Sequence, residues 1–176
     1  KLIPFYQTYD QYYSVYWDYF TPEEWTRLQD EYEAEKRRDK ETEERTIDYF
    51  RIGEMQPERD HNLKASEQSY VDDALGRKGR EARRNNFFSF EMKVEQDKPL
   101  HLLLTYMDRK WDLLVEGVKI QTIEWPGGKT GKFYDFEYPL PPELLKGKLK
   151  VTVRIDANYG KTAGRIFGAR VVKGGK

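Results

Sequence analysis

Residues 53–67 read GEMQPERDHNLKASE and gather Glu54, Glu58, Asp60 and His61 around a proline, with almost nothing apolar. Carboxylates and an imidazole are the side chains of hard-cation and zinc sites, of acid–base pairs, and of polar segments that cap backbone groups. The spacing matches neither an EF-hand loop nor H-E-x-x-H. A catalytic carboxylate pair must be held across a substrate ring at a defined separation, which neighbours in a Pro-broken loop seldom provide. The expectation is a polar strap laid over β-structure, its carboxylates and His61 capping backbone groups. No metal, cofactor or catalytic residue is assigned, and a cation held by Glu58, Asp60 and His61 is the alternative.

A second set of residues is scattered in sequence: Asp108, Arg109, Trp111, Trp125, Asn158, Tyr159 and Arg165. Flat aromatic faces stack on the C–H side of sugar rings, and Asp, Asn and Arg hydrogen-bond vicinal hydroxyls, so together they would form a carbohydrate site. They meet only if successive strands run back and forth, which brings loops 107–110, 125–132 and 158–165 to one end. The competing reading buries Trp111 and Trp125 in the core or in an interface. The basic run GRKGREARRNN (76–86) reads as a solvated loop, and His101 as a surface residue.

The elements that would position these residues are legible. Residues 2–17, LIPFYQTYDQYYSVYW, are β-prone and read as two short strands or a hairpin. In FTPEEW, Thr21 and Glu24 form a capping box, Pro22 suits the first helical position, and Phe20 and Trp25 stand as a hydrophobic staple. The stripe of Trp25, Leu28 and Tyr32 then gives way to EAEKRRDKETEER, a charged spacer helix that touches the body only at its start. From residue 87 the period changes to two. Phe88, Phe90, Met92 and Val94 share one face, as do Leu100, Leu102, Leu104 and Tyr106, and then Leu149, Val151, Val153, Ile155 and Ala157. WDLLVEG and VKIQTIE form a hairpin about Glu116–Gly117, while FYDFEY and IFGARVV supply two further strands. Seven short strands with turns between them predict a mainly β fold, an antiparallel β-sandwich of jelly-roll or galactose-binding-like type.

Composition narrows the function classes. The chain has 176 residues, with Lys+Arg and Asp+Glu both 31, so no general field attracts nucleic acid or an anionic membrane. No apolar run is long enough to span a bilayer. Without cysteine, disulfides and thiolate chemistry are excluded. The chain opens on Lys1 inside a strand-like pattern without initiator Met or signal peptide, which predicts a piece of a longer protein.

The succession PFYQTYDQYYSVYW, a helix, DYFRIGEMQPERDHN and FFSFEM, followed by FEYPLPPELLKGK and AGRIFGARVVK, resembles the C-terminal part of bacterial glycoside hydrolases of families 127 and 146. The resemblance covers nearly the whole chain. It implies β-L-arabinofuranosidase relatives, with a catalytic (α/α)-barrel followed by β-sandwich domains. Their catalytic residues, including a zinc-bound cysteine, lie in the barrel, and none carries over to a chain without Cys. The division that follows is 1–20 as terminal strands of a preceding sandwich, 21–45 as helical spacer and 46–173 as the C-terminal sandwich. The expected role is a non-catalytic accessory domain that packs on and supports the rest of its parent chain, the barrel and the preceding sandwich, in the periplasm, at the cell surface or secreted. The alternative is a carbohydrate-binding module for arabinose-containing plant polysaccharide. Nucleic acid and membrane are not expected as partners.

Overall fold

A computed structural model describes residues 18–96, 98–107, 110–124, 131–157, 160 and 162–174. The chain divides after Glu41 into two units, residues 1–41 and 42–176. The strands expected within 1–17 lie outside the described residues. Helix α1 (Pro22–Arg45) begins where the capping box places it. The Thr21 amide donates to Glu24 Oε2 at 2.8 Å, the Glu24 amide to Thr21 Oγ1 at 3.2 Å, and the Phe20 and Trp25 rings lie 6.1 Å apart. No residue of α1 is buried, and Trp25, Leu28 and Tyr32 are all exposed. No described helix is long and apolar enough to cross a membrane.

Two antiparallel sheets form the sandwich. The first contains β3 (Ser69–Ala74), β4 (Arg77–Arg83), β11 (Thr162–Lys173), β6 (Leu100–Tyr106) and β9 (Tyr134–Pro139) in that order, with β1 (Thr46–Arg51) also paired to β11. The second runs β2 (Lys64–Ala65), β5 (Phe87–Lys93), β10 (Lys150–Asp156), β7 (Trp111–Val115), β8 (Val118–Ile123). Two short helices, α2 (Met55–Asp60) and α3 (Pro142–Leu145), complete the order. The alternating rows of β5, β6 and β10 face inward, where Phe88, Phe90, Met92, Leu102, Leu104, Val151, Val153 and Ile155 are buried. Aromatic pairs tie the sheets together: Phe50 against Phe90 at 4.9 Å, and Tyr106 edge-on to Trp111 at 5.6 Å. The Glu116–Gly117 turn takes φ values of 52° and 78°, the left-handed geometry of a two-residue hairpin.

Two expectations are corrected. Leu149 is 80% exposed, because β10 starts one residue later, after a turn through Gly147. The run 76–86 is not a solvated loop: residues 77–83 form β4, paired to β3 and to β11. Its inward positions are Arg80 and Ala82, so hydrophobic alternation could not reveal the strand.

The edge of β11 is divided. Its N-terminal half pairs β4 (Ile166 opposite Arg80), and its C-terminal half pairs β1 (Gly168 opposite Arg51, Val172 opposite Thr46). One strand of twelve residues thus serves two neighbours on the same side, and the sheet forks near Gly168. Two glycines allow the close approach at this fork. A Cβ on Gly79 would lie 2.7 Å from the Phe167 ring, and one on Gly53, at φ 88°, 2.8 Å from the Gly79 carbonyl.

Candidate functional site

The strand registers place the connections β4–β5, β6–β7, β8–β9 and β10–β11 at one end of the sandwich. Tyr106 stands opposite Tyr134, Trp111 opposite Ile123, and Asp156 opposite both Phe87 and Asp112. Of the seven residues expected to form a site there, Asp108, Arg109, Trp125, Asn158 and Tyr159 lie outside the described residues. Trp111 is 0% exposed and packed on Tyr106, so its ring offers no face to a sugar. Arg165 lies within β11 rather than in a loop, with Nη1 3.4 Å from Asp72 Oδ2 on β3. The buried carboxylates at this end are held by neighbours. Asp112 accepts from Thr122 Oγ1 at 2.7 Å, and Asp156 from Arg154 Nε and Nη2 at 3.0 and 2.8 Å.

The strap 53–67 is built into the scaffold. Glu58 takes a two-pronged hydrogen bond from Arg80, Nε to Oε1 at 2.9 Å and Nη2 to Oε2 at 2.8 Å, and also accepts from the Gly53 amide at 3.0 Å. Arg80, 8% exposed on the inward side of β4, thereby finds its counter-charge. His61 stacks on Phe50 at 4.5 Å, with Nδ1 2.9 Å from the Pro57 carbonyl and Nε2 3.4 Å from Asp48 Oδ1. The second oxygen of Asp48 accepts the Lys93 amide at 2.7 Å, so β1, the strap and β5 are laced along one side of the sandwich. Burial opposes the charged His61, yet its bonds to Asp48 and Pro57 prevail and raise its pKa above 6.5. Burial likewise opposes ionised Asp48, but His61 and the Lys93 amide hold its carboxyl below 3.8. Among the described residues no group of three His, Asp or Glu converges as a metal site. His101, half-buried on β6, pairs through Nδ1 with Glu137 at 2.9 Å, and Arg45 binds the same carboxylate.

The fork in the first sheet opens a groove of about 430 Å³ lined by Tyr49, Arg51, Glu54, Met55, Gly76, Arg77, Lys78 and Phe167. Clefts for small ligands span roughly 300–1,000 Å³. β1 supplies Tyr49 and Arg51, the start of the strap Glu54 and Met55, and the β3–β4 hairpin Arg77 and Lys78. Tyr49 and Arg77 flank Gly168: a Cβ there would stand 3.5 Å from Tyr49 Cε2 and 3.7 Å from Arg77 Nη2. Both are fixed by stacking, Tyr49 beneath the Arg170 guanidinium at 3.7 Å and Arg77 over the Phe133 ring at 4.8 Å. Phe133 meets Phe167 edge-on at 4.7 Å. At the rim Arg51 Nε lies 3.4 Å from Glu54 Oε2, Met55 is 71% exposed, and Lys78 is open to water. Among the described residues neither Arg77 nor Lys78 forms an ion pair. An aromatic ring beside fixed donors can stack on and hydrogen-bond a ring-shaped polar ligand. Sequence reasoning missed this groove. The signal available was Gly-Arg-Lys-Gly, two cations between glycines, but it acquires meaning only with β1 laid beside it.

A two-sheet sandwich of this order is a β-jelly-roll of the kind found in carbohydrate-binding modules. A family 35 carbohydrate-binding module from an environmental isolate superposes with TM-score 0.51 at 12% identity, over 70% of this chain and 91% of that one. A family GH115 4-O-methyl-α-glucuronidase with specificity for decorated arabinogalactans does so with TM-score 0.53 at 9% identity, over 74% of this chain but 18% of that one. At these identities the likeness is one of fold. The chain itself belongs to DUF6805, a family of unknown function whose profile matches residues 41–172. No curated protein sequence matches it.

Proposed function

We propose that this chain is a non-catalytic accessory β-sandwich of a carbohydrate-active enzyme and that it holds a saccharide in the groove at the fork of its first sheet. The observation that carries the reading is the pairing of Tyr49 with Arg77 over Gly168, both held by stacking, in a groove the size of a small-ligand cleft. The sandwich likeness to a carbohydrate-binding module and to part of a glycoside hydrolase supports it. A parent related to the β-L-arabinofuranosidases of families 127 and 146, exported to the periplasm or cell surface, fits the same reading. Tethering saccharide beside a catalytic domain raises its local concentration without new chemistry.

The specific observation favouring a packing role is the exposed row Phe20, Trp25, Leu28 and Tyr32, apolar surface suited to a neighbouring domain. Affinity electrophoresis in native gels containing arabinan, arabinogalactan, xylan or pectin separates the two. Retardation by at least one polysaccharide, lost in Tyr49→Ala with the fold checked by circular dichroism, is the expected result. Unchanged migration in all of them would leave the packing role alone.

A further inference from the structure

We propose that the fork groove selects an anionic saccharide, its charge a uronate carboxylate or a sulfate ester, with Arg77 as the anchoring cation. This rests on the saccharide-binding reading and adds the ligand's chemical class. The chain is neutral overall, yet the groove collects Arg51, Arg77 and Lys78 against the single carboxylate of Glu54. Glu54 is matched to Arg51, and among the described residues neither Arg77 nor Lys78 forms an ion pair, although Asp73 stands opposite Lys78 on β3; Arg77 is thus the cation with most charge to offer.

The donor and acceptor balance points the same way. Arg and Lys donate and never accept. Each hydroxyl of a neutral sugar brings a donor along with its acceptor lone pairs, and among the side-chain oxygens lining the groove only Glu54 and the Tyr49 hydroxyl could accept from those donors. An anionic group needs only donors, and the guanidinium fork fits carboxylate and sulfate oxygens in pairs.

Arg77 is also pre-organised. Its guanidinium is held against the Phe133 ring and lies beside the β11 backbone at Gly168, so little side-chain freedom remains to be lost on binding. Tyr49, on the other side of Gly168, has one ring face covered by Arg170 and presents the remainder of its ring and its hydroxyl to the sugar. Lys78, on a flexible stem at the rim, adds attraction that salt should weaken.

Calorimetric titration of the 176-residue chain with trigalacturonate, a sulfated carrageenan oligosaccharide, neutral galactotriose and oligoglutamate tests this. The expected result is that at least one anionic saccharide binds roughly tenfold or more tighter than galactotriose, and more weakly as salt is raised. Whichever of the two binds identifies the source of the charge. Arg77→Gln should abolish the preference; because Arg77 also touches Phe133, the variant Lys78→Gln at the exposed rim, which sets no second carboxylate against Asp73 across the strand pair, should reduce it several-fold. Equal binding of neutral and anionic oligosaccharides, lost in Tyr49→Ala, would overturn the anionic selectivity and leave the saccharide reading standing. Oligoglutamate binding as tightly as the sugars would also overturn it. No binding of any saccharide at millimolar concentration would remove both.

Discussion

Arg80 is a charged residue in a position that a sandwich normally gives to Val or Ile. Its neighbours on the inward face of the first sheet are Ile166 and Ala82, and Glu58 of the strap answers it with both oxygens. Removing one partner of a buried ion pair strands the other charge and costs about 3–5 kcal/mol. Glu58→Ala should therefore lower unfolding free energy by at least about 3 kcal/mol in urea titrations, while Glu58→Ala combined with Arg80→Met should recover much of it. His61 and Asp48 give a second test at the same scale. His61 has a raised pKa, so its contribution is complete below 6.5 and is lost as pH rises through the folded value. Asp48 has a lowered one, so its contribution is complete above 3.8 and is lost as pH falls through the folded value. The pair should thus support the fold most fully between these two pH values. Asp48→Asn should flatten the pH dependence of the melting temperature on the alkaline side and bring the His61 pKa down, as read by NMR titration of its ring protons.

At the scale of elements, the strap and β4 depend on one another. Gly53 and Gly79 approach so closely that neither tolerates a side chain, and Phe167 lies against the second of them. Gly79→Ala should cost about 2 kcal/mol, because the nearest atoms include the Ile166 carbonyl of the backbone, which cannot rotate away. What was legible in sequence follows from the same chemistry. β5, β6 and β10 showed themselves because Phe, Leu, Val and Ile alternate with polar residues, and α1 because Thr21, Pro22 and Glu24 mark its start. β4 was hidden because its inward residues are an arginine and an alanine, and the arginine is neutralised by Glu58 from a segment that reads as loop. In the strap, Glu58 and His61 do meet backbone groups, the Gly53 amide and the Pro57 carbonyl, but residues 55–60 form helix α2 rather than loop, Asp60 accepts from Gln56, and Glu54 pairs with Arg51 at the groove. The groove was not legible: Tyr49, Arg77 and Gly168 come from three strands, and only the fork in β11 makes them neighbours.

For the whole molecule, the division after Glu41 and the family match from residue 41 bound the same sandwich. A chain beginning at Thr42 should fold alone, with a melting temperature within about 3 °C of the full chain by calorimetry. A larger fall would mean that the sandwich relies on the preceding residues. The central claim is that the working surface of this sandwich is the forked face. The measurement that tests it most directly is an NMR titration of the ¹⁵N-labelled chain with the oligosaccharide that binds best, following backbone amide shifts. The shifts are expected to cluster at Tyr49, Arg51, Gly76, Arg77, Lys78 and Gly168. Shifts confined to the connections between β6 and β7, β8 and β9, and β10 and β11 would place the saccharide at the loop end instead and contradict it.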